Sequence, residues 1–209
     1  RHETTMEKVF FKPWVGKDYE TGGIFKKKIF VLGESHYCDG CDKCTGNVED
    51  SECSDFTQNV VRKIINGESS HWTGTFRKFE SSLVGEETTV EKSKEIWESL
   101  AFYNYLQVAV SKTREAGDWY DYEKSEDAFF EVLNELQPDV IIVWGVTRMY
   151  EDMPEKGWEK GAEMIVDGYP VKNGWYTIDN GKRIRAIWVY HPSSGYSWNW
   201  WNKVITKIL

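Results

Sequence analysis

A three-layer α/β/α fold around a central parallel sheet of four strands is what this sequence predicts. Three observations carry the prediction. Short apolar runs recur along the 209 residues. Segments with the spacing of amphipathic helices separate them. The strongest runs are nearly continuous in apolar residues, the pattern of strands buried on both faces. Strands alternating with helices imply parallel pairing, with helices packed on both sides.

The elements follow in chain order. Residues 29–32, in "KKKIFVLGES", read as a strand ending on Gly33. "SDFTQNVVRKIING" sets Phe56, Val60 and Ile64 on one helical face and stops at Gly67. "TGTFRKFESSLVG" reads as a second helix. "LAFYNYL", 100–106, fits a strand or a helix. "SEDAFFEVLNELQPD" gives a helix with Ser125 as N-cap and Pro138 past its end. "DVIIVWG" is a strand over 140–144, and "MPEKGWEKGAEM", 153–164, reads as a surface loop or short helix. "IRAIWVY", 184–190, is the last strand, and "WNWWNKVITKIL" is a closing amphipathic helix. Repeats, linkers and low-complexity stretches are not visible, so residues 1–209 are expected to form a single domain and a monomer.

Composition narrows the function classes. No apolar run is long enough for a membrane span, and the N-terminal stretch lacks the apolar core of a secretory signal, so a cytoplasmic setting is expected. A net charge of −8 argues against nonspecific nucleic-acid binding as the main activity. The charge is uneven. Lys172, Lys182, Arg183, Arg185, Lys203 and Lys207 face only Asp179 in the last 38 residues, which suits a local anionic ligand. Of the eleven tryptophans, Trp198, Trp200 and Trp201 cannot all face one way on a helix.

In parallel α/β sheets ligands sit at the carboxyl ends of the strands. Three such ends stand out: "GESHYC" after 29–32, "GVT" after 140–144 and "HPSSGY" after the last strand. Glu34, Ser35, His36 and His191 are thereby candidates for acid–base work. From the residues alone, Glu34 equally suits a helix cap, and His36 a structural or metal-bound role.

Together these motifs resemble the uracil-DNA glycosylase superfamily. Its first motif, G-Q-D-P-Y-H, G-E-A-P-G or G-M-N-P-G according to branch, is similar to "VLGESHYC". Its second, H-P-S-P, is similar to "HPSSG". "FYNYLQ" resembles the strand whose asparagine reads the base edge, and "PDVIIVWG" resembles the third strand. The likeness spans roughly residues 28–200 in the family's order. It implies a DNA glycosylase that hydrolyses the N-glycosidic bond of a uracil-like or modified pyrimidine flipped out of DNA, as in base excision. Glu34, Ser35 and His191 would be catalytic. His36, Tyr37 and Asn104 would bind the base. Ser193, Ser194, Tyr196 and Trp198 would contact DNA, with Tyr196 or Trp198 as the inserted wedge, since Gly195 stands where the family has leucine. Ser35 replaces the water-positioning aspartate of the commonest branch, which leaves Glu34 as the nearest carboxylate. The alternative is a noncatalytic nucleic-acid or nucleotide binding module on the same fold.

All four cysteines fall in Cys38-x2-Cys41-x2-Cys44-x8-Cys53. In a cytoplasmic protein this density points to metal before disulfides. Structural Zn²⁺ on four thiolates ranks first and a [4Fe–4S] cluster second. The expected result is a metal-stapled loop over 38–53.

Overall fold

A computed structural model of the chain describes residues 6–36, 51–107 and 119–209. Among the described residues, nine strands run in the order β1 (Trp14–Val15), β2 (Ile29–Gly33), β3 (Ala101–Asn104), β4 (Val140–Trp144), β5 (Trp158–Lys160), β6 (Ile165–Val166), β7 (Tyr169–Pro170), β8 (Asn173–Thr177) and β9 (Arg183–Val189). The α-helices are α1 (Ser51–Ser54), α2 (Phe56–Ile65), α3 (Thr73–Val84), α4 (Val90–Glu98), α5 (Trp119–Leu136), α6 (Arg148–Glu151) and α7 (Trp198–Thr206).

The main sheet has seven strands, ordered β1-β3-β2-β4-β9-β8-β5. Its four central strands are the four read from the sequence, and β3-β2-β4-β9 pair in parallel. The central parallel four-stranded sheet expected is the middle of a larger, mixed sheet, because antiparallel β1, β8 and β5 extend it on both sides. These additions lack the apolar runs that mark the centre. Residues 153–164, expected as a loop or short helix, contain the edge strand β5. The β8–β9 hairpin turns through Asp179-Asn180-Gly181, with Gly181 at φ 85°, a turn signal the sequence reading passed over. Helix α4 was also missed, although Thr89 caps it by accepting the Lys92 N–H. The predicted cap Ser125 lies inside α5, where its hydroxyl donates to the Asp121 carbonyl.

Alternation along the central strands builds two cores. Phe30, Leu32, Ile141, Val143 and Trp188 face α5 through Phe129, Val132 and Leu133. Ile29, Val31, Ile142, Ile187 and Val189 face the opposite way, toward Val61, Phe79, Trp97 and Val204 of α2, α3, α4 and α7. The chain therefore folds as a mixed α/β sheet with helices on both faces. Among the described residues no helix is long and apolar enough to cross a membrane.

The strand order reverses around β2, since β3 lies on one side of it and β4 on the other. Ligand crevices in open α/β sheets form at such a reversal, outside the carboxyl ends of the strands. The segment after β2 begins with Glu34 and the segment after β4 with Gly145, so both border that place.

Candidate active site

Register brings the strand ends level. Gly33 pairs with Asn104, Leu32 with Val143, and Trp144 with Val189. Asn104, Gly33, Trp144 and Val189 therefore form one row across the sheet. With Asn104 where it stands, the second position takes glycine, because a Cβ there would collide with the Asn104 side-chain oxygen.

Glu34 follows β2 directly, and both its carboxylate oxygens are occupied. Tyr122 of α5 donates its hydroxyl to Oε2 at 2.5 Å. Arg148 of α6 donates to Oε1 at 3.0 Å. Burial raises the Tyr122 pKa, and the Glu34 hydrogen bond raises it further. The phenol thus remains a donor at any ordinary pH.

His36 turns inward and is 4% exposed. Its Nε2 lies 2.7 Å from the Thr57 hydroxyl and 3.1 Å from Asn104 Nδ2. Phe11 and Phe56 flank the ring at 4.8 and 4.4 Å. Burial pushes its pKa down to about 3, so the ring is neutral. Asn104, itself 7% exposed, consequently has the His36 ring beside its amide nitrogen, and Gly33 leaves room for its side-chain oxygen.

His191 follows β9 at the surface. Its Nδ1 accepts the backbone N–H of Ser193 at 3.2 Å and lies 2.7 Å from the Ser193 hydroxyl. A neutral ring so held carries its proton on Nε2. The Trp144 ring meets the imidazole edge-on at 5.6 Å. Although the residue is exposed to solvent on the turn, the protein packed around its ring partly desolvates it and lowers the His191 pKa, against an opposing pull from Glu34. The carboxylate and imidazole therefore feel one another without a hydrogen bond between them. The buried Trp144 Nε1–H has no partner among the described residues.

The other expected residues divide. Ser35 is half-buried beside Glu34, and Ser193 and Ser194 are exposed on the turn after His191. Tyr196 lies 7% exposed beneath that turn, stacked on Trp201 at 5.8 Å and bonded to the Ser82 hydroxyl at 2.7 Å. Trp198 is half-buried against the same core. Tyr37, Cys38, Cys41 and Cys44 lie outside the described residues, while Cys53 is half-buried in α1. Sequence reasoning missed Tyr122, Arg148 and Thr57, and it named Lys172 only as part of the basic tail. The Lys172 ammonium bonds the Val146 carbonyl at 2.6 Å and caps the Tyr150 ring, which sets a second cation at this edge. Strand-end position had drawn attention to "GVT", but nothing local in the sequence pairs Glu34 with residues 88 and 114 positions away.

What the fold and site define is a mixed α/β domain with an acidic, imidazole-bearing and amide-bearing edge at its strand ends. No protein-family model matches the chain, and no curated protein matches it.

Proposed function

We propose that this chain is a DNA glycosylase that hydrolyses the N-glycosidic bond of a uracil-like or modified pyrimidine held out of the strand. The observation that carries the reading is His191: with Nδ1 accepting from Ser193, a neutral imidazole offers its Nε2–H beside Trp144. The C1′–N bond breaks with its electron pair leaving on the base, and negative charge builds on the base oxygen. A fixed N–H donor gains strength as that charge grows. Glu34 supplies negative charge toward the sugar as it becomes cationic. Water adds to C1′ and releases a proton to the carboxylate or to solvent. Asn104 meets the edge of the extruded base, since an amide offers both a donor and an acceptor. Ser193 and Ser194 with Arg148 and Lys172 are the proposed phosphate contacts. The buried position of Tyr196 leaves that side chain poorly suited to insertion into a duplex.

Structural zinc on Cys38, Cys41, Cys44 and Cys53 belongs to the same proposal, with an iron–sulfur cluster as its rival. The four-thiol donor set suits either. The loop that would hold it runs from His36 to α1 and α2, and its two ends already meet in the His36–Thr57 hydrogen bond. Four protein ligands leave no open position, so the metal would brace this edge and take no part in the chemistry.

One observation favours the alternative, a noncatalytic binding module: both Glu34 oxygens already accept hydrogen bonds. Abasic-site formation on a panel of single- and double-stranded DNAs, each carrying one uracil or modified pyrimidine, decides between them. Base release from at least one substrate is expected. Tight binding without release from any would establish the module instead.

A further inference from the structure

A glutamate that must face a reacting sugar has three rotatable bonds to restrain, and small misplacements of a catalytic group are costly in rate. Tyr122 supplies the restraint. It is 1% exposed, and its ring stacks on Tyr105 at 5.3 Å. The Tyr105 hydroxyl donates to the Tyr122 backbone carbonyl at 2.9 Å and anchors α5 at that point. The Tyr122 hydroxyl has the Met149 sulfur at 3.3 Å, a weak acceptor, and Glu34 at 2.5 Å, a strong one. A phenylalanine would fill the same space without bringing a polar group into the core. The hydroxyl therefore finds its use in the carboxylate. Arg148, by contrast, is exposed, and water screens its hold on Glu34.

We propose that Tyr122 is a positioning residue, which acts through Glu34 to hold the carboxylate at the sugar side of the site. This deepens the glycosylase reading and rests on it. A structural tie between α5 and the end of β2 is the competing role, and it predicts a change in stability alone.

The test compares wild type, Tyr122→Phe, Glu34→Gln and the double variant on a substrate that the wild type cleaves. Single-turnover base release, substrate affinity and Tm are measured on each. Tyr122→Phe should slow release about 10–100-fold, the scale of one hydrogen bond to a charged group, with affinity unchanged. In the Glu34→Gln background the same substitution should cost nothing more. Equal losses in both backgrounds, or a fall in Tm with an unaltered rate, would overturn the positioning role and leave the glycosylase reading standing. Absence of base release by wild type would overturn both. Proton NMR adds a readout independent of activity and of the phenylalanine variant's folding. A slowly exchanging, downfield Tyr122 hydroxyl proton should be present in wild type and lost in Glu34→Gln. Its absence from wild type contradicts the proposal.

Discussion

His191 shows what one hydrogen bond decides. Ser193 takes Nδ1, so the ring's chemistry is left to Nε2. Burial favours the neutral ring, which sets a direction for its pH dependence. Its folded pKa lies below the unfolded value near 6.5, so its contribution to stability is present above that pH and fades as pH falls below it. Histidine C–H resonances followed by NMR should show His191 titrating below pH 6.5, and a midpoint at or above that value would contradict the burial argument. Gly33 gives a second residue-scale test. Gly33→Ala would drive a methyl into the Asn104 amide. Base release should fall at least ~10-fold as the amide is displaced, in line with the cost of misplacing a substrate-binding group. An unaltered rate with the fold intact would show that Asn104 does not need its present place. The strand-end glycine was legible in "VLGES"; the side chain it makes room for was not, because that side chain belongs to a different strand.

At the scale of elements, the proposal is that a metal held by residues 38–53 steadies the base-binding side chain. Among the described residues that flank this stretch, Thr57 of α2 meets the His36 ring. Purified protein should contain about one zinc per chain. Its removal by a chelator, or Cys41→Ser, should lower Tm and weaken base release together, because the His36 ring that Thr57 meets also meets Asn104. Elemental analysis and Tm measurements check this; a metal-free protein of unchanged stability and activity would refute the staple. Tyr196→Phe serves as the contrast. It removes the hydroxyl bonded to Ser82 and should cost about 1 kcal/mol of stability, while DNA binding and base release stay the same. The four parallel strands were readable because each is a near-continuous apolar run flanked by polar turns. β1, with two residues, and β5, with three, are too short for periodicity to register. α4 escaped because its charged face outweighs Ile96 and Trp97.

Across the whole molecule, the sequence placed Glu34, His36, Asn104 and His191 near one edge, and strand register accounts for why they lie there. It left open that His36 turns into the core while His191 stays at the surface. Helices supply that difference, since Phe56 and Thr57 of α2 close over the first ring. The clamp on Glu34 also required the folded chain: Tyr122 and Arg148 come from α5 and α6, which precede and follow β4 in the chain. Arg148 and Lys172 stand at this edge, whereas Arg183 and Arg185 of the basic tail begin β9 at its opposite end and Lys203 pairs with Asp167, so the expected gathering of cations around His191 is reduced to those two. The central claim is that His191 stabilises a departing base. Single-turnover base release by wild type and His191→Ala, measured on one substrate with Tm determined alongside, tests it most directly. The account predicts a loss of about 10²–10³-fold, the usual effect of removing one charge-stabilising donor, with Tm nearly unchanged. A stable His191→Ala variant that releases base at the wild-type rate would contradict it.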